Sequence, residues 1–251
     1  MSATASRSPV NRLVAALPRS ERVLLLAHCV KEQLPPESRL CEAHLRIRNV
    51  LFPVTGSISL LAQVAGHPPL EIGIVGNEGV LGASLVLGVQ VMPFAARVHS
   101  AGSAWRLPAG RLLRLLPDCP MLERALAHSL YLQLAQLAQS AVCTHFHEIE
   151  PRLARCLLLS QDRADGERLH LTHQALADLL GVQRSAISIA AGKLQRRGLI
   201  HYSRGEIDIR DRPGLEAASC ACYATVIEDN RRIGRIWRPR TSAYGSAGRS
   251  R

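Results

Sequence analysis

Apolar residues change their spacing three times along this chain. Between residues 10 and 30 they recur at helical intervals in two runs, VNRLVAAL and SERVLLLAHC, separated by Pro18. Ser20 stands where an N-cap would open the second run, and Pro35-Pro36 closes the region. From about 39 to 110 the runs shorten and alternate with Gly and Pro: LRIRNVLFPVTGSISLLAQVAGHPPLEIGIVGNEGVLG, then ARVHSAGSAWRLPA. Val54-Thr55-Gly56 and Ala65-Gly66-His67-Pro68 read as turns, and GNEGVLGASLVLG as a loop with a short helix. Short strands at this spacing predict an antiparallel barrel or jelly roll. After Pro120 the period is helical again, with Leu122, Leu126, Leu130, Leu134 and Leu137 forming one stripe. This helix runs for some 24 residues, twice the mean of ~11–12. Such a stripe suits a coiled-coil-like dimer seam, or packing on the barrel of its own chain. Pro151 opens another amphipathic helix, RLARCLLLSQDR, and RADGER is a turn.

The stretch LTHQALADLLGVQRSAISIAAGKLQRRGLI, residues 171–200, holds two short helical patterns around one glycine. Thr172 is placed to cap the first, whose inner face is Leu176, Ala177 and Leu180. Gly181 suits the left-handed position that ends it, and Val182 packs the turn. The second helix starts near Arg184 and turns Ile187, Ala190 and Leu194 inward. Two steeply crossing helices need a small contact residue and a tight turn, so this is a helix-turn-helix pattern. Gln183, Arg184, Ser185, Ser188 and Ile189 are left on the outer face, where side chains reach base edges in a major groove. Arg184 suits a guanine edge and Ile189 a thymine methyl. Thr172, His173, Lys193, Arg196, Arg197 and Arg204 are candidates for the DNA backbone. IHYSRGEIDI then reads as a hairpin turning at Arg204-Gly205, a wing, and ASCACYATVIED as a final helix. One feature runs against the pattern: Gly192 lies inside the second helix, where glycine costs about 1 kcal/mol relative to Ala.

These shifts divide the chain into an N-terminal barrel (residues 1–118), a long helix and hinge (119–147), a winged helix-turn-helix (148–229) and a tail (230–251). The fold class is α+β. Charge refines the picture. The net charge is +11, but the tail after Asn230 carries seven Arg and no acid, so the rest holds only +4. The tail, almost without apolar periodicity, is expected to be disordered. More telling is the run from Arg184 to Arg204, which has five basic residues and no acidic one. No apolar run approaches the ~18 residues of a membrane span, and the N-terminal segment shows no cleavage site, so a cytoplasmic chain is expected.

There are seven Cys, at 29, 41, 119, 143, 156, 220 and 222, with no CxxC pair. Most sit inside apolar helical patterns, which points to buried reduced thiols. The spacing offers no zinc framework, and no metal or other cofactor is expected. Cys220-Ala-Cys222, the one close pair, is left as a redox or metal handle. CTHFHEIE brings His145, His147 and Glu148 together, but two His at i, i+2 do not share a helix face, so the geometry of a metallohydrolase is absent. His145–Glu150 reads as a hinge, and no enzyme is expected.

Barrel, long helix and winged helix-turn-helix together resemble the Crp/Fnr superfamily of bacterial transcription regulators. LTHQALADLLGVQRSAISIAAGKLQRRGLIHYSRGEIDIRDRPGLEAASCACY carries the most specific likeness. LFPVTGSISL, GNEGVLGASLVLG and EPRLARCLLL resemble a branch not built for cyclic AMP. The resemblance implies a homodimer on a two-fold site in double-stranded DNA, one recognition helix per half-site, blocking or recruiting RNA polymerase. Cyclic-AMP-binding members hold the nucleotide with a Gly-Glu pair and a later Arg-Ser pair. Here the matching segments read Gly82-Ala83-Ser84 and Phe94-Ala95-Ala96-Arg97, so the glutamate is missing and Arg97 falls a few residues late. Cys29 and Cys41 are too far apart for the iron–sulfur cluster of oxygen-sensing members. His44, His67 and His99 read as surface or satisfied residues, and haem is not expected. Where well-known members begin the recognition helix with Arg-Glu and place a later Arg, this chain has Arg184, Ser185 and Ile189, so their site sequence does not transfer. The competing reading is a ligand- or partner-sensing module whose helix-turn-helix does not use DNA.

Overall fold

A computed structural model describes residues 10–163 and 168–236. Two short helices, α1 (Arg12–Ala15) and α2 (Arg19–Leu26), precede the strands β1 (Val30–Leu34), β2 (Arg39–Cys41), β3 (Asn49–Ala62), β4 (Leu70–Val75) and β5 (Ala95–Pro108). These form one antiparallel sheet in the order β1-β5-β3-β4, with β2 also on β5. The long pair β3–β5 is its spine, setting Phe52 opposite Trp105 and Leu60 opposite Ala96. Val54-Thr55-Gly56, expected to be a turn, lies inside β3. Gly56, at φ 71°, makes a bulge that bends the strand without reversing it. Gly102 lies across from it, with no room at either position for a Cβ beside the partner backbone. A short 3-10 helix, Ala83–Leu87, closes one side, so the interior is filled by Phe52, Ile58, Leu85, Val98 and Leu107.

Ser20 does not cap α2; the helix opens at Arg19 with Pro18 in the cap position. The capping work is done by Asn11 and Glu21. Asn11 is fully buried: its Oδ1 accepts from Val14 N–H at 3.0 Å, and its Nδ2 donates to Pro53 and Gly79 carbonyls, both at 2.9 Å. The Glu21 carboxylate accepts the backbone N–H groups of Met121 and Leu122 at 3.2 and 2.8 Å. It thereby satisfies two orphan donors at the start of α4 (Pro120–Phe146), which follows α3 (Ala109–Leu115). The early turns of α4 bury Leu122, Ala125, Leu126 and Ser129 against the barrel. Further on, the helix leaves it: Tyr131, Leu134, Val142 and Phe146 are exposed, Leu134 at 64% and Phe146 at 73%. The stripe therefore packs on the barrel of its own chain at Leu122 and Leu126, and is bare at Leu134.

A second core follows. It gathers α5 (Ile149–Arg163), β6 (Arg168–His170), α6 (His173–Leu180), α7 (Arg184–Arg196), β7 (Ile200–Ser203), β8 (Glu206–Ile209), α8 (Arg212–Ala218) and α9 (Cys222–Ile236) around Leu157, Leu176, Ile187, Leu194, Ile207 and Leu215. The wing has three strands, β6-β8-β7, where the sequence predicts two. The expected final helix starts later than ASCACYATVIED suggests, as α9 at Cys222, and continues to Ile236; the helix before it, α8, was not expected. The tail assigned from residue 230 thus begins inside a helix; residues 237–251 of that tail, and most of the RADGER turn (164–167), lie outside the described residues.

The two cores touch through polar groups. Arg163 Nε donates to Glu78 at 2.8 Å; burial works against the Glu78 carboxylate, yet Arg163 outweighs it and holds the group below its usual range. His99 bridges Ser59 Oγ and Ser160 Oγ, each at 3.1 Å, beside Glu71. His99 is therefore a satisfied buried histidine, while His44 and His67 are exposed. Leu70 of β4 meets the turn at Gly181, where a Cβ would stand 2.9 Å from it.

Candidate nucleic-acid interface

The helix-turn-helix is assembled from local rules. Thr172 Oγ1 accepts from Ala175 N–H at 3.1 Å and starts α6. Gly181, at φ 65° and ψ 41°, ends it. Ala177, with no bulk beyond Cβ, is buried where α6 crosses α7. On α7 the buried set is Ile187, Ala190, Ala191 and Leu194. The opposite face carries Gln183, Arg184, Ser185, Ser188 and Ile189, all exposed. Ile189, a β-branched apolar side chain, is 63% exposed and outside the core.

The cations separate into two groups. Lys193 and Arg197 face Glu150 of α5, at 3.6 and 2.8 Å. Arg184, Arg196 and Arg204 hold no ion pair among the described residues. Arg196 lies back along the recognition face, its guanidinium 3.5 Å from where a Cβ on Gly192 would stand. Arg204 sits at the wing tip in a two-residue turn with Gly205, at φ 51° and 83°. Both central residues at positive φ match the type I′ hairpin.

His173 sits between the helices. Its Nδ1 meets Ser188 Oγ at 2.9 Å, and Ser188 Oγ also donates to the Arg184 carbonyl at 3.1 Å. The ring stacks on Tyr202 with centroids 4.2 Å apart, and Nε2 is buried without a hydrogen-bond partner. Burial first, and the Arg184 charge second, lower the His173 pKa below its usual value. His173 thus presents a neutral ring that locks α6 to α7, not a cation.

The segments corresponding to a cyclic-nucleotide site do not converge on one. Ala83 is buried, Gly82 opens the 3-10 helix, and Arg97, on β5 between β2 and β3, pairs with Glu37 at 3.1 Å. A cleft of about 1050 Å³ does exist elsewhere, between α1, α4 and the α8–α9 pair. Its charges are largely matched: Arg163 with Glu78, and Arg212 with Asp162 at 2.7 Å and Glu216 at 2.9 Å.

The sequence reading missed one cluster. The ligand atoms of Cys143, His147, Cys220 and Cys222 all lie within 4.8 Å of one another. Its legible signals were the Cys220-Ala-Cys222 pair and the i, i+4 spacing of Cys143 and His147. The fold joins two segments more than 70 residues apart. The Cys220 thiol, donating across 3.5 Å, and then the Arg155 charge pull Cys143 well below the usual thiol range despite its burial.

The Crp-like helix-turn-helix domain model matches residues 151–218, from α5 through α8. Over that stretch the chain is similar to the Crp/Fnr family of transcription regulators. Among Crp/Fnr relatives, it is 24% identical over 193 residues to the CRP-like protein Clp of Xanthomonas euvesicatoria pv. vesicatoria, covering 72% of this chain and 84% of that protein. The fold is that of FixK2 from Bradyrhizobium japonicum, with a TM-score of 0.66 at 16% identity over 77% of this chain and 98% of that one. It is equally that of the c-di-GMP responsive global regulator CLP of Xanthomonas campestris, with a TM-score of 0.63 at 20% identity over 76% and 99%. Regulators of this family are not enzymes. Among the described residues no helix is long and apolar enough to cross a membrane.

Proposed function

We propose that this Crp/Fnr-type regulator binds a two-fold site in double-stranded DNA as a homodimer and acts at promoters through RNA polymerase. Residues up to 118 form the sensor barrel, 119–147 the dimer helix and hinge, and the body from 148 onward reads DNA. One observation carries this reading: the N-terminal half of α7 exposes Arg184, which holds no ion pair among the described residues, and Ile189, which is 63% exposed and outside the core. Gln183, Arg184, Ser185, Ser188 and Ile189 contact bases in the major groove. Thr172, His173, Lys193, Arg196, Arg197 and Arg204 flank the phosphates. His173 does so as a neutral group, and Lys193 and Arg197 by sharing their charge with Glu150.

The exposed apolar residues Tyr131, Leu134, Val142 and Phe146 support pairing of two α4 helices. Two recognition helices on such an axis would enter successive grooves about 34 Å apart. The reading does not call for cyclic AMP as effector: the segment that would match its pocket lacks the glutamate, and Arg97 pairs with Glu37.

Selection of sites from random duplex DNA by the purified protein, without added ligand, tests the reading. The expected result is a two-fold motif that Arg184→Ala loses and a form truncated after Ile236, at the end of α9, keeps. Loss of Arg184 should cost about 1–3 kcal/mol of discrimination. Affinity that vanishes with the truncation, and no motif, would sink the proposal and favour a sensing module that does not use DNA.

A further inference from the structure

The cysteines outside the two hydrophobic cores form a cluster of their own. Cys143, Cys220 and Cys222 are buried together, apart from both. Cys143 lies in the last turn of α4, and His147 is the residue just past its end, where the backbone becomes extended. Cys220 and Cys222 flank Ala221 in the break between α8 and α9. Across the cluster, Cys143 Sγ lies 3.5 Å from Cys220 Sγ, and Cys222 Sγ lies 3.4 Å from His147 Nδ1.

From these contacts we infer that Cys143, His147, Cys220 and Cys222 form a tetrahedral Zn²⁺ site of the Cys₃His type. Zinc–sulfur bonds of about 2.3 Å and zinc–nitrogen bonds of about 2.0–2.1 Å place ligand atoms roughly 3.5–3.8 Å apart. The distances of 3.5 and 3.4 Å lie close to that edge length, and all four ligand atoms lie within 4.8 Å of one another. An iron–sulfur cluster would interpose its own atoms between the thiolates and hold them farther apart. Three thiolates and one neutral imidazole saturate the ion, leaving no open position for substrate, so the site is structural.

Charge is also accounted for. Three thiolates on Zn²⁺ leave one net negative charge in a buried place. Arg155 supplies the counter-charge: its field acts on Cys143, its Nη2 donates to Ser140 Oγ at 3.2 Å, and its Nε is buried without a partner. Binding displaces the thiol protons to solvent. The ion clamps the end of α4 to the α8–α9 pair, closing a loop of more than 70 residues between the long helix and the last two helices.

The test begins with metal content. Full-length protein, purified under reducing conditions without chelator, is expected to hold one zinc per chain by mass spectrometry. Cys220→Ser/Cys222→Ser and Cys143→Ser should lose it, while Cys29→Ser and Cys41→Ser keep it. Because the first variants can fail to fold, the wild-type chain is also stripped and titrated with Co²⁺. A thiolate-to-cobalt charge-transfer band with intense visible d–d bands, displaced by Zn²⁺ at one equivalent, supports a tetrahedral thiolate-rich site. Reduced protein that takes up neither ion overturns the proposal. So does a Cys143–Cys220 disulfide that persists in the reductant-purified chain, since it removes two of the four ligands.

Discussion

At the residue scale, the cations of the reading helix are not equivalent. Arg196 holds no ion pair among the described residues, whereas Arg197 lies 2.8 Å from Glu150. A phosphate contact by Arg196 releases counterions in full, but Arg197 must share its charge. Arg196→Ala should therefore lower the salt slope of duplex binding by about 1, and Arg197→Ala by clearly less. Equal slopes in the two variants would refute the distinction. His173 gives a second prediction. Its folded pKa lies below the unfolded value near 6.5, so the unfolded chain takes up the proton first. The stability tied to neutral His173 is complete above that value and is lost as pH falls from it towards the folded pKa. Urea midpoints of wild type and His173→Asn, compared above and below pH ~6.5, should show a steeper fall for wild type. Parallel curves would contradict it. His173 was legible as a candidate, but its neutral state was not, because the ring's burial against Tyr202 and Ser188 comes from the wing and from α7.

At the element scale, the helix-turn-helix was the most legible part. Thr172 as cap, Gly181 as terminator and Ile187 as inward residue follow from interactions within a few residues. Elements decided by distant partners were not legible. The α4 start depends on Glu21, about 100 residues earlier, and Val54-Thr55-Gly56 became a bulge because β5 continues past it. The helix expected at ASCACYATVIED begins only at Cys222, because Ser219–Ala221 turn the chain where Cys220 meets Cys143. Gly181 tests the turn. Its positive φ costs a side-chain residue about 1–2 kcal/mol, and a Cβ would also press on Leu70. Gly181→Ala should lower stability by at least that much in urea unfolding. A neutral effect would mean that the turn does not hold this conformation.

For the whole molecule, the proposed dimer rests on the bare part of α4. Leu134 and Phe146 are too exposed for residues of their size unless something covers them. Tyr131→Arg/Leu134→Arg should convert a dimer to a monomer in sedimentation and weaken binding to a two-fold duplex more than to a half-site. A variant that remains dimeric would place the seam elsewhere. The contact of the winged body with its own barrel, through Glu78–Arg163 and His99–Ser160, is a second large-scale feature. It could not be read from the chain, since each pair spans 61 residues or more.

What the sequence determined by itself is whatever depends on near neighbours. That covers the order of helices and strands, the fold class, the outward face of α7 and the hairpin turn at Arg204-Gly205, because periodicity, caps and turn chemistry act over a few residues. The tertiary structure alone decided which charges are already paired, which part of α4 lies bare, and how two cysteine segments and one histidine come together. Those outcomes depend on distances closed by the packing of remote elements, and spacing along the chain carries no record of them.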